Sequence, residues 1–163
     1  MAVFTNPMYY EGPLPSLKKL QAAGSKTWQA GQFCRTTDSG VVPCKTAATS
    51  INGLFAKTQA SATTAGDLVD VYIINSASTK FVIGVTSGTV DAKAGQVLIG
   101  SAEGLGVNSC ICTLSLSNDT NEILKVHDVM GRVEPMKNDT NVAPGYAIVS
   151  VTASALDAEG AGL

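Results

Sequence analysis

Charge is scarce in this chain. Lys, Arg, Asp and Glu make up 15% of its 163 residues, against an ordinary share of about 25%, and the formal net charge is −2. A nucleic-acid binder needs clustered Lys and Arg, so no nucleic-acid partner is expected. Histidine is scarcer still, with His127 the single one. Aromatic residues make up 6%. No apolar run approaches the ~18 residues that span a membrane, so no membrane partner is expected. Met1–Pro7 has neither a basic segment nor an apolar one, which fits a chain made and kept in a cytosol.

The signatures of chemistry are missing as well. There is no G-x-S-x-G elbow. Gly100-Ser101-Ala102-Glu103-Gly104-Leu105-Gly106 is glycine-rich, but no Lys-Ser/Thr and no helix follows it, so it is expected to be a flexible β-loop rather than a phosphate cradle. His127 lies among alternating apolar residues, and on a regular strand its neighbour Asp128 would face the other way. Asp67 and Asp70 would likewise point to opposite faces, and the remaining carboxylates are scattered. The cysteines Cys34, Cys44, Cys110 and Cys112 lack the C-x₂₋₄-C spacing of a zinc site. No catalytic, metal-binding or cofactor-binding residue is expected, and the chain is not expected to be an enzyme.

What the chain does have is a recurring phrase. Ala30-Gly31-Gln32-Phe33, Ala65-Gly66-Asp67-Leu68 and Ala94-Gly95-Gln96-Val97 each run from a small residue through Gly and a polar residue into a strand-like segment, and Pro144-Gly145-Tyr146-Ala147 is a looser copy. Gly supplies the turn and the β-branched run supplies the strand. The intervals are irregular, which fits hairpins of one domain and not a solenoid. The fold class is therefore all-β, a small antiparallel barrel or sandwich. Strands are expected over 27–36, 41–47, 54–60, 68–75, 80–86, 96–101, 110–115, 123–132 and 147–153. The segment 68–75 reads as central, and 80–86 as its hairpin partner through Ser76–Thr79. Asn118-Asp119-Thr120-Asn121 and Asn138-Asp139-Thr140-Asn141 read as turns.

Three segments divide the chain: residues 1–24 form an N-terminal arm with a short helix, 25–153 the β-domain, and 154–163 a flexible tail. The arm holds Pro7, Pro13 and Pro15, which bar a helix or a central strand, yet also Phe4, Met8, Tyr9, Tyr10 and Leu14. A disordered tail is poor in aromatics. The arm either covers the domain's own core or binds a partner through those five residues. Ser16–Gly24 carries Leu17 and Leu20 at helical spacing, with Gly24 as a stop. Cys34 and Cys44 flank Asp38-Ser39-Gly40 symmetrically, so a hairpin there sets them opposite one another; they are either a disulfide pair or small buried hydrophobes. Cys110 and Cys112 would share one face of a strand.

The proline-rich arm, Trp28-Gln29-Ala30-Gly31-Gln32-Phe33, Ile51-Asn52-Gly53-Leu54-Phe55-Ala56 and Thr64-Ala65-Gly66-Asp67-Leu68-Val69-Asp70-Val71 together resemble the decoration, or cement, proteins of tailed-bacteriophage heads, over roughly residues 25–101. The resemblance implies a β-tulip-like domain on the capsid exterior. Its partners would be the major capsid protein and further copies of itself, as a homotrimer, and its role would be to stabilise the head. Two other readings stand beside it: another virion component of tail or fibre, and a non-catalytic carbohydrate-binding β-sandwich using Trp28, Tyr72 and Tyr146.

Overall fold

The computed structural model describes residues 6–86, 100, 102–115, 120–130 and 145–156. All regular structure in them is β: β1 (Met8–Glu11), β2 (Ser16–Gln21), β3 (Phe33–Thr37), β4 (Gly40–Pro43), β5 (Gly53–Phe55), β6 (Leu68–Ile73), β7 (Lys80–Thr86), β8 (Ala102–Asn108), β9 (Ile111–Ser115), β10 (Glu122–Met130) and β11 (Tyr146–Val151).

The strands form two sheets. One runs β7-β11-β10-β8-β9 and closes on itself through a parallel β7–β9 pairing, with β1 added on the open side of β7. The closing seam of this five-stranded barrel is short, Val85 to Leu114 and Thr86 to Ser115, and β1 takes up the rest of that edge of β7. The inward residues alternate as the pleat requires: Phe81, Ile83 and Val85 on β7, Leu105 on β8, Cys112 and Leu114 on β9, Leu124 and Val126 on β10, Ala147, Val149 and Val151 on β11. All are buried.

The second sheet runs β2-β6-β5-β3-β4 and curls until its ends meet at one bridge, Ala22 to Val41. Inside the curl lies a smaller core of Ala22, Trp28, Cys34, Val41, Phe55, Val71 and Ile73. At its centre Trp28 stacks on Phe55 with centroids 3.8 Å apart, and the indole Nε1 donates to the Lys57 carbonyl at 2.9 Å. The seam depends on Gly40. Its φ is +116°, and a Cβ there would sit 2.7 Å from backbone atoms of Gln21, Ala22 and Ala23.

The two sheets share a core. Phe33 and Leu54 leave the curled sheet on its other face and join the barrel cluster, where Phe33 meets Phe81 edge-on at 5.6 Å.

Several expectations change. Ser16–Gly24 holds a strand, β2, in place of the helix. Leu17 and Leu20, three apart, lie on opposite faces of that strand, with Leu17 in solvent and Leu20 against the inner core. A helix this short has little stability of its own, and six cross-strand pairs with β6 override it. Residues 6–22 are thus woven into both sheets, with no break at residue 24. β6 is interior to its sheet, as expected, but β7 does not pair with it; residues 74–79 carry the chain over to the barrel. From Ala102 onward the glycine-rich segment is the barrel strand β8, in which Leu105 is fully buried and Gly104 and Gly106 carry ordinary ladder pairs, while Gly100 is a turn residue at φ +88°. Asn52-Gly53 opens strand β5, where Gly53 pairs with both Cys34 and Ile73. Of the expected strand 96–101 only Gly100 is described, as a turn residue, and the turn at 138–141 lies outside the described residues, as does most of the tail. The start of the tail is docked, with the Ala155 carbonyl accepting from Ile51 N–H at 2.8 Å.

Candidate functional site

The arm is fixed by its backbone and open through its side chains. β1 pairs with β7, and β2 pairs with β6. Just before β1, Asn6 is buried and pins the arm to the barrel tip. Its Oδ1 accepts from Cys112 N–H at 2.8 Å, and its Nδ2 donates to the Cys110 carbonyl at 2.9 Å and the Ala30 carbonyl at 3.3 Å. The arm neither covers the core with its large side chains nor hangs free.

Those side chains face outward. Met8, Tyr9, Tyr10, Leu14, Leu17, Leu68 and Tyr72 are the exposed large hydrophobic residues among the described ones, and every one lies on β1, β2, β6 or the arm between β1 and β2. Of the expected arm residues, Met8, Tyr9, Tyr10 and Leu14 belong to this strip, while Phe4 lies outside the described residues. Leu17, Leu68 and Tyr72 were not legible as members, because membership follows from β2 being a strand paired to β6. The register makes the pattern explicit. Leu17, Tyr72, Leu54 and Phe33 are successive cross-strand partners over β2, β6, β5 and β3. Their exposures fall from 57% through 42% and 6% to 0%. This is one apolar row whose inner end is core and whose outer end is uncovered. Beside it an open groove of ≈ 450 Å³ is lined by Met8, Tyr9, Leu14, Leu54, Tyr72 and Phe81 among others. Scattered exposed apolar residues are ordinary, but here Leu17 and Tyr72 pair directly and Met8, Tyr9, Leu14 and Tyr72 line one groove, while Leu68 is set apart from Tyr72 by Asp70 and its two lysines.

A second, polar groove of ≈ 800 Å³ opens on the outside of the barrel. It is floored by Ser150, with His127 above it at 2.7 Å from Nε2 to Oγ. The strand β10 is irregular here. Val126 pairs with Val149 and Asp128 with Ile148, so His127 is an extra residue, a bulge. Bulges re-aim side chains, and this one breaks the alternation that the sequence implied for His127 and Asp128. The charges that act on His127 are Lys80, Lys125 and Glu11. Burial first, then the two lysines, hold its pKa below the usual 6.5, with Glu11 opposing.

The cysteines are free thiols. Cys34 pairs with Pro43, while Cys44 N–H donates to the Phe33 carbonyl at 2.9 Å. Cys44 therefore shares the face of Phe33, toward the barrel cluster, and Cys34 faces the inner core of the curled sheet. A one-residue offset puts the two thiols on opposite faces and removes the symmetric pairing that the hairpin suggested. Burial pushes both pKa values far up, and that of Cys112 to about 12, so these thiols stay protonated and unreactive. Cys110 does not share a strand face with Cys112, because it sits in the turn between β8 and β9. Among the described residues no three His, Cys, Asp or Glu side chains are grouped to hold a metal.

Compared with known proteins, the chain matches no family model, no curated protein and no solved structure.

Proposed function

We propose that this protein is a non-catalytic structural component of a virus particle, a decoration protein that docks on the lattice of a major capsid protein. The observation that carries the reading is the apolar strip: the exposed large hydrophobic residues of the described chain lie on the arm and on β6 beside it, carried by strands that are already paired on at least one side. Such a surface offers preformed contact area with little ordering cost on binding. Three of its seven members are tyrosines, a residue type that anchors interfaces because it is large, rigid and amphipathic. A low-charge surface suits the interior of a permanent contact. Repetition over a closed lattice multiplies a modest single-site affinity. Trp28, buried in the curled sheet, has no face to offer a sugar, which weakens the carbohydrate-binding reading.

The test is cosedimentation of the purified chain with virus capsids lacking it, and quantification of the chain in density-purified particles. The expected result is a copy number comparable with that of the major capsid protein. Tyr9→Glu and Leu17→Asp should remain in the supernatant while unfolding at the parent's urea midpoint. If the parent chain is absent from particles, the proposal fails. If the variants bind capsids normally but lose self-association, the strip joins copies of this chain and a different face meets the capsid.

A further inference from the structure

The polar groove outside the barrel is not used by the docking strip. Its floor is a row across four strands: Glu11 on β1 pairs with Lys80 on β7, Lys80 with Ser150 on β11, and Ser150 with Lys125 on β10. Directly opposed residues project on the same face of a sheet. The two lysines therefore flank Ser150, with Cα atoms about 10 Å apart, twice the interstrand spacing. That separation leaves room for a small anion between their ammonium groups. The bulge brings His127 over the same serine. Ser150 is itself only 2% exposed, so its hydroxyl is a preformed element of the floor. Among the described residues Lys125 has no ion-pair partner, whereas Lys80 is held by Glu11 at 2.8 Å. Thr152 and the backbone around Gly12 and Ser78 complete the walls.

We propose that this groove binds a tetrahedral oxyanion, a phosphate or sulfate group, between Lys80 and Lys125 with His127 and Ser150 at its base. A lysine on each side of Ser150 and the His127–Ser150 pair between them supply more donors than a planar carboxylate with two oxygens can use, which suits a tetrahedral ion once Lys80 turns from Glu11. Protonated His127 donates from Nε2 to the Ser150 oxygen, freeing the hydroxyl proton to turn into the groove. Glu11 is the built-in competitor, since an incoming anion must share Lys80 with it.

The experiment is a titration of the full chain with inorganic phosphate, sulfate, a sugar phosphate and acetate, followed by NMR of the His127 ring and by calorimetry. Phosphate and sulfate should saturate and shift the His127 signals, and acetate should bind about tenfold more weakly. Sulfate keeps its charge across the range, so it isolates the histidine: its affinity should rise as pH falls through the His127 titration, and saturation should raise the His127 pKa. Lys125→Gln should weaken sulfate binding about tenfold, a loss of one charge-assisted contact, at unchanged stability. Glu11→Gln should tighten it a few-fold. A sugar phosphate that binds more tightly than inorganic phosphate assigns the groove to a phosphorylated small molecule, and equal affinity assigns it to the free ion. An unmoved His127 pKa, or acetate equal to sulfate, overturns the proposal. So does covalent labelling of Ser150 by a fluorophosphonate, which would make the His–Ser pair a nucleophile and its base.

Discussion

The barrel and the curled sheet solve the same problem differently. The barrel closes through the β7–β9 pairing, and none of the exposed large hydrophobic residues among the described ones lies on its strands β7 to β11. The curled sheet closes at one bridge, and its β2–β6 side keeps an apolar row in solvent. Closure removes edges, and the exposed apolar row stays with the barely closed part. The arm, which belongs to both, carries that surface along the join.

The contrast can be broken first at the seam. Gly40→Val puts a side chain into the backbone of residues 21–23 at a positive φ, and should cost about 3 kcal/mol. Because Phe33 and Phe81 tie both sheets to one core, the urea midpoint of the whole chain should fall in a single transition. An unshifted midpoint would show that the seam is not sterically closed. The next largest effect concerns the arm. Asn6→Ala leaves the Cys112 N–H and two carbonyls unpaired at a buried site, and should cost about 2 kcal/mol in the same assay. Deleting the arm outright would confuse binding with folding, which is why point substitutions on the strip are the cleaner test of docking.

A third change sharpens the contrast by making the barrel stronger. The β8–β9 hairpin turns through Ser109 and Cys110, both at positive φ, 46° and 69°. Two-residue turns of this hand favour Asn-Gly. Ser109→Asn with Cys110→Gly should add about 1 kcal/mol, seen as a raised urea midpoint. The smallest effect belongs to the curled sheet. Asp70 hydrogen-bonds Lys19 and is ion-paired to both Lys19 and Lys57, and these contacts lower its pKa below 3.8. A lowered folded-state pKa gives stability that is present above 3.8 and lost as pH falls through the folded value. Asp70→Asn should therefore melt slightly lower than the parent at neutral pH, with the gap closing in acid. A gap independent of pH would detach it from the charge.

Much of the strand content was readable because its signal is local. The short apolar, β-branched runs of Lys80–Thr86 and Tyr146–Val151, and the turn at Asp38-Ser39, need no knowledge of partners. Three features resisted, each for a reason. Leu17 and Leu20 fit a helical period as well as two faces of a strand, and only pairing with β6 decides between them. Gly104 and Gly106 look like loop because glycine weakens a strand, yet the barrel wall holds them in register through Leu105 and Val107. The polar groove was invisible because it gathers residues 11, 80, 125, 127 and 150, and because a bulge overrides the alternation expected at His127 and Asp128. The apolar arm was half legible: its composition set it apart from a disordered tail, but the row extending it through Leu17 and Tyr72 is a product of register.

The pairing of β1 with β7 also sets an order of assembly. The curled sheet is built from residues 16–73 and the barrel from residues 80–151, each a continuous stretch. β1 alone must wait for a strand some seventy residues later before its backbone finds a partner. Loop-closure entropy disfavours such a contact until the rest has formed, so β1 is the last of the described strands to be secured. In stopped-flow kinetics, Asn6→Ala should accordingly speed unfolding and leave the folding rate nearly unchanged.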